Sequence, residues 1–217
     1  LSVLVFCVFC CSASNASAER IPRTYGDAMR WYEKAAAGGN TRAQFLLAYM
    51  HETGKGRPYN YRLAVKWYTR AAEKNQARAQ FRLGMLYSKN TSNTADLKKA
   101  AVWYEKASKN GIAQASFNLG VFFERGLGVK KDLSKAKEFY FSASKLGIAA
   151  AQFNLGLLLA ASGKEDRPAL VQAWLWLSRA KKQKYPNAKE AIENVANQLT
   201  AFELEEAQKK LLPADYQ

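Results

Sequence analysis

One interval governs this chain, and it is 36 residues long. Trp31-Tyr32, Trp67-Tyr68, Trp103-Tyr104 and Phe139-Tyr140 follow one another at that distance, and Trp176 comes after 37. Ala28, Ala64, Ala100, Ala136 and Ala173 stand three residues before the leading aromatic, and Ala35, Ala71, Ala107, Ala143 and Ala180 stand four after it. Eight after the first four aromatics come Gly39, Asn75, Gly111 and Gly147; twelve after all five come Ala43, Ala79, Ala115, Ala151 and Ala188. Positions held in phase over five copies define a repeat array, in which each unit buries its apolar face only against its neighbours.

The spacing also dictates the unit. Small residues at −3 and +4 flank the aromatic on one helix face, so a neighbouring helix can approach closely while the ring fills the space beside it. Glycine or asparagine at +8 marks a helix end in the left-handed conformation. A second run follows, with Phe45, Phe81, Phe117 and Phe153 two residues before Leu47, Leu83, Leu119 and Leu155, and a small residue after each leucine (Ala48, Gly84, Gly120, Gly156). Each unit is therefore a helix pair. The expected pairs are 41–52 with 60–74, 77–88 with 96–110, 113–124 with 132–146, and 149–161 with 168–183. A lone second helix covers 25–37, a further first helix runs to about Leu199, and a last one spans about 201–212. Asn60, Asp96 and Asp132 are expected caps. Thr200 with Glu203 has the form of a capping box, with Leu199 and Leu204 as its staple. Asn90–Asn93 and Ser162–Lys164 depart from the Gly126-Leu127-Gly128-Val129 turn, so irregular loops are expected there.

The pattern A-Q-x-x-L-G, aromatic, G-x-G-V-x-x-D, then A-x-x-W-Y-x-x-A-A-x-x-G resembles the Sel-one-like repeat, a relative of the tetratricopeptide repeat. The resemblance covers roughly Tyr25 to Leu199. It implies an all-α solenoid of about four to five helix-pair repeats with a C-terminal capping helix, serving as a non-catalytic scaffold for protein partners. By analogy with tetratricopeptide units, the A-Q-F-x-L-G helix would line a groove. Leu46, Arg82, Asn118 and Asn154 would point into it, with Glu124 and Arg125 one turn on. Asparagine there would clamp an extended peptide backbone with its paired donor and acceptor.

The first 18 residues differ from the rest. An uncharged apolar run from Leu1 to Cys11 ends in Ala16-Ser17-Ala18, the form of a signal peptide cleaved before Glu19. The chain starts at Leu1 without Met or a basic lead-in, so the natural start is expected upstream. Residues 19–24 read as a linker, 25–199 as the solenoid and 200–217 as a capping helix with a tail. All three cysteines lie in the leader; a mature chain would have no disulfide frame and no thiol nucleophile. The preceding residues Phe6, Phe9 and Cys10 do not suit a lipidated cysteine. Export to a bacterial periplasm, or secretion, is expected.

Chemistry-bearing motifs are sparse. His51 is the single histidine, too few for a metal site, and no cofactor is expected. Ser142 to Lys145 and Ser178 to Lys181 match the S-x-x-K of penicillin-recognising enzymes, but no S-D-N or K-T-G accompanies them. Cysteine-rich relatives have been linked to such activity, and this chain lacks their cysteines. A wall-acting or β-lactam-hydrolysing enzyme is therefore the weaker alternative, as is a general polyanion binder, and nucleic acid is not the expected partner. A monomer is expected.

Charge is the remaining signal. The net charge is +15. Between Gly54 and Asn110 there are 13 lysines and arginines against three acidic residues. Arg62, Lys66, Arg70 and Lys74 recur every four residues as one stripe, and Arg78 and Arg82 continue the spacing on the next helix. The corresponding sites two units later are Ser134, Glu138, Ser142 and Leu146, so the fold does not demand these charges. The stripe reads as a docking surface for an acidic protein partner.

Overall fold

A computed structural model describes residues 25–89, 91–161 and 165–211; the expected leader, linker, Asn90 and Ser162–Lys164 turns and the last residues of the tail lie outside them. Eleven α-helices and no strand occur among the described residues. A lone α1 (Tyr25–Ala37) precedes four antiparallel pairs. These are α2 (Thr41–Thr53) with α3 (Tyr61–Glu73), α4 (Ala77–Ser88) with α5 (Thr94–Lys109), α6 (Ala113–Arg125) with α7 (Leu133–Lys145), and α8 (Ala149–Ala160) with α9 (Arg167–Lys182). Two short helices, α10 (Ala188–Ala196) and α11 (Ala201–Lys209), close the C-terminal end. From α1 to α10 each helix packs on the one before and the one after it, the connectivity of a solenoid, and α11 folds back onto α9.

Helix ends follow the expected chemistry. Gly39, Gly111 and Gly147 turn the chain with φ of 92°, 81° and 85°, and Asn75 does so at 61°. In the fifth unit Lys184 takes the same place with φ 57°. Asn60 and Asp132 cap α3 and α7, each accepting from the amide three residues on at 3.0 Å. Asp96 is not a cap. Asn93 holds that role for α5, accepting from the amides of Ala95 and Asp96 at 3.0 and 3.2 Å, and its own amide group donates to the Asp96 carboxylate. The loop is three residues out of phase there, so the first turn of α5 forms earlier.

The core is built from small residues around one large ring per unit. Tyr68, Tyr104 and Tyr140 are at most 2% exposed, and Ala64, Ala71, Ala100, Ala107, Ala136 and Ala143 are completely covered. The sequence reading placed the tryptophans in the core. Instead Trp67 and Trp103 are only half-buried and Trp31 is 36% exposed. Of the paired aromatics, the tyrosine points inward. In the fifth unit the extra residue brings Leu177 to this place, and Trp174 and Trp176 are buried beside it.

Glycine makes room for the ring. A Cβ at Gly84 would lie 2.5 Å from the Tyr104 ring, one at Gly120 2.6 Å from Tyr140, and one at Gly156 2.6 Å from Leu177. Each glycine belongs to the first helix of its unit and lets the second helix close onto it.

The end cap also forms as expected. The Thr200–Glu203 capping box is present, and Leu199 and Leu204 pack on a cluster containing Trp174, Val195 and the fully buried Ala207. Arg167 forks onto the Glu203 carboxylate and donates to the Gln198 carbonyl at 2.7 Å. This hydrogen bonding, led by Arg167, holds the Glu203 carboxyl down at about 2.

Candidate partner-binding faces

Two surfaces carry the residues singled out from the sequence. One belongs to the first helices of the pairs (α2, α4, α6, α8) and the other to the second helices (α1, α3, α5, α7, α9).

On the first-helix surface the expected groove residues are largely committed to the fold. The Tyr68 hydroxyl donates to Glu52 at 2.7 Å, and Arg82 donates to the other oxygen of that carboxylate at 3.4 Å. The Tyr140 hydroxyl donates to Glu124 at 2.5 Å, and Asn154 lies within its reach. The Tyr104 hydroxyl meets Ser88 at 3.1 Å, with Asn118 beside it. Burial raises all three tyrosine pKa values, and the carboxylate neighbours raise Tyr68 and Tyr140 further. The chain thus carries a ladder of internal polar nodes at 36-residue steps. Asn118 and Asn154 are half-buried and Leu46 likewise, while Arg125 is exposed at the end of α6.

A second internal ladder went unnoticed in the sequence. The buried amides of Gln44, Gln80 and Gln152 donate to the carbonyls of Ala36, Ala72 and Ser144 at 3.0–3.2 Å, each tying a first helix to the preceding second helix. Asn110 and Gln183, at the end of the second helix of the same pair, complete Gln80 and Gln152. Where glutamine gives way to Ser116, its hydroxyl pairs with Ser108 at 2.7 Å, and the site corresponding to Asn110 is the apolar Leu146. That paired exchange was the available signal.

On the second-helix surface the basic residues separate. Arg62, Lys66, Arg70 and Lys74 are exposed there, as is Arg78 at the start of the first helix α4, and none of them takes part in the ion pairs among the described residues. Lys66 and Arg70 lie 5.9 and 4.7 Å from the Trp67 ring. The stripe is not straight, because residues four apart drift by about 40° around a helix of 3.6 residues per turn. Lys74 ends the drift turned toward α1, where it donates to the Gly39 carbonyl at 2.7 Å. Arg82 leaves the row for Glu52 and sits 5.3 Å from the Tyr49 ring.

His51 and the two Ser-x-x-Lys pairs complete the motifs. His51 is 5% exposed; its Nε2 accepts from Arg57 at 2.9 Å, and Arg57 reaches Glu33 at 2.6 Å, joining α1, α2 and the loop after it. Burial first, and the guanidinium second, lower the His51 pKa. No group of three His, Cys, Asp or Glu side chains suited to a metal ion occurs among the described residues. Lys145 lies 4.7 Å from the Phe141 ring. Ser178 borders a cavity of about 350 Å³ with Arg179, Lys182, Lys210 and Leu211, a set without a carboxylate or imidazole to take its proton.

The family model for the Sel1 repeat matches residues 21–40, 41–76, 77–112, 113–148 and 149–185. Among solved structures, a protective antigen present in uropathogenic Escherichia coli strains and displaying an SLR fold superposes with a TM-score of 0.70 at 34% identity. The match covers 84% of this chain and 39% of that one, so this chain spans well under half of the antigen's length. A Sel1 repeat protein from Oxalobacter formigenes superposes with a TM-score of 0.64 at 29% identity, over 84% of this chain and 75% of that one. No curated protein matches. Proteins built from this repeat generally act as non-catalytic scaffolds for protein–protein interaction. The matched repeats and the helix-pair geometry agree unit by unit: this chain belongs to the Sel1 repeat family.

Proposed function

We propose that this chain is an exported, monomeric scaffold that holds a protein or peptide partner in the bacterial envelope. The observation that carries the binding reading is the exposed, unpaired basic surface on the second helices, which the repeat fold does not require for its own stability. The polar groups of the first helices are spent on internal tyrosine hydroxyls, so the second-helix surface is the better candidate for an acidic partner. Export rests on the apolar run and Ala16-Ser17-Ala18 motif of the first 18 residues. No helix among the described residues is long and apolar enough to cross a membrane.

Chemical crosslinking from native envelopes, followed by affinity capture, tests the binding reading. A discrete protein should co-purify, and its recovery should fall with salt as exposed charge pairs are screened. Recovery of polyanion alone would overturn it. For export, a reporter fused after residue 18, with a Met-Lys start restored, should cross the inner membrane and be released at Glu19. Retention of the uncleaved segment would overturn that half.

A further inference from the structure

We propose that α1, at the N-terminal end of the array, docks a helix of a protein partner, one with a small residue (Gly or Ala) followed four residues later by an uncharged hydrogen-bond acceptor. This rests on the protein-binding reading above and adds a second surface and the shape of the segment that fits it.

Each complete unit closes its tyrosine with its own first helix. Tyr68 is covered by α2, Tyr104 by α4 and Tyr140 by α6, and each ring is at most 2% exposed. The covering helix brings two features in a fixed order. Ala48, Gly84 or Gly120 lies against the ring, and Glu52, Ser88 or Glu124, four residues on, meets the hydroxyl.

The second helix α1 has no such cover, because no helix precedes it among the described residues. Tyr32 holds the place of Tyr68 one unit earlier, yet it is only half-buried. Ala35 is half-buried too, whereas its counterparts Ala71, Ala107 and Ala143 are completely covered. No hydrogen bond of the Tyr32 hydroxyl occurs among the described residues. The other side of α1 is packed: Met29 and Ala36 are buried in one cluster with Ala43 and Leu47 of α2. The open side is thus held in place before a partner arrives, which lowers the ordering cost of binding.

The neighbouring first helix selects the acceptor. Arg82 joins the Tyr68–Glu52 pair, Asn118 stands at Tyr104 and Asn154 at Tyr140. Leu46 holds the corresponding place at Tyr32, half-buried and apolar. A carboxylate brought there would lose water without the cation or amide that the other units supply, a cost larger than one tyrosine hydrogen bond returns. A hydroxyl or amide is cheaper to bury, and Ser88 already serves Tyr104 in this way.

Segments of this chain match the place poorly. In the 36-residue register the leader offers Ser12 at the small site, but Cys11 at the leucine site and Ala16 at the acceptor site. Cleavage before Glu19, as read above, would remove it. At the other end α10 is a first helix without a paired second helix, and it carries the exposed Glu193 where the others have Ala or Gly. A second copy stacking end to end would press that side chain onto the Tyr32 ring.

Fluorescence anisotropy with the chain from Glu19 onward tests this. The probe is a labelled, end-capped peptide of the α4 sequence, Ala77–Ser88, which has both features. The parent peptide should bind saturably, and its Gly84→Leu form should not bind. Its Ser88→Ala form should bind about 3- to 10-fold more weakly, the range of one hydrogen bond, and its Ser88→Glu form more weakly than the parent. A Tyr32→Phe chain with an unchanged helical melt should bind the parent and Ser88→Ala peptides alike. Binding of the Gly84→Leu peptide, tightest binding of the Ser88→Glu peptide, or a serine preference that survives Tyr32→Phe overturns the proposal. Self-association of the chain that the peptide reverses also overturns it, assigning the face to a second copy. If excess parent peptide leaves recovery of the crosslinked envelope partner unchanged, the scaffold reading stands and this surface falls.

Discussion

Replacing Gly84 with alanine adds one methyl group at a close helix–helix contact, that of α4 with α5. The new Cβ would lie 2.5, 2.6 and 3.0 Å from Cδ1, Cε1 and Cγ of Tyr104. Carbon atoms prefer about 3.5–4.0 Å, so the ring must retreat by about 1 Å. It has little room. Tyr104 is 2% exposed, its hydroxyl meets Ser88 at 3.1 Å, and its ring lies edge-on to Phe122 at 5.4 Å. Overpacking of this kind costs about 1–3 kcal/mol, while alanine recovers up to about 1 kcal/mol of helix propensity over glycine. The net expectation is a loss of about 1–2 kcal/mol. The chain carries its own comparison, because Ala48 occupies the same place against Tyr68. There the Phe45 and Tyr68 rings are 5.5 Å apart and tilted by 57°, against 6.0 Å and 43° for Phe81 and Tyr104. The ring can thus adapt, but only by turning. Urea unfolding followed by far-UV circular dichroism and tryptophan fluorescence measures the change. A Gly84→Ala chain as stable as the parent, or more so, would refute the contact as the reason for glycine.

Other perturbations follow from the same packing. Trp103→Ala should cost less than the 3–5 kcal/mol typical of a fully buried ring, because Trp103 is half-buried; a loss in that full range in urea melts would show that the ring is core after all. Gly128→Ala should be more damaging than Gly84→Ala, since φ is +65° and the new Cβ would meet the Leu97 and Lys98 backbone at 2.4–2.7 Å; an unchanged melt would refute that contact. The folded pKa of His51 lies below its unfolded value near 6.5, so its stabilising share is complete above that pH and is lost as pH falls toward the lower folded value. A His51→Gln chain should show a flatter melting profile between pH 7 and 5, and an equal slope in both chains would contradict this. Glu203 is also lowered, to about 2, so the docking of α11 should persist above pH 4.5 and weaken as pH falls toward 2; hydrogen exchange at Ala207 that does not rise over this range would count against it.

Much of the fold was legible because glycine and asparagine at +8 fix the helix ends and the alanines at −3 and +4 fix a face. The face itself was ambiguous by one residue. An alanine three before Trp67 is four before Tyr68, and one four after Trp67 is three after Tyr68, so both rings fit between the same pair of small residues. What decides is the hydroxyl's partner, which comes from another helix. The covariation was present all along: Tyr68 and Tyr140 have Glu52 and Glu124, whereas Leu177 has the apolar Ala160 at the same place. The basic stripe was legible as composition but not as shape. Spacing alone could not show that Lys74 would bond to Gly39 or that Arg82 would turn to Glu52. Those outcomes depend on neighbouring helices 30 or more residues away.

Site-specific photocrosslinking in living cells addresses the binding claim without assuming a partner. Val102 is 51% exposed on α5 between Lys98 and Lys106, and Gln114 is exposed on α6 of the first-helix surface. A photoreactive residue at 102 should yield a discrete protein adduct, lost on Arg70→Gln/Lys106→Gln substitution, while the same residue at 114 should yield far less. Absence of any protein adduct at 102, or an adduct confined to 114, would contradict a scaffold that holds its partner on the second helices.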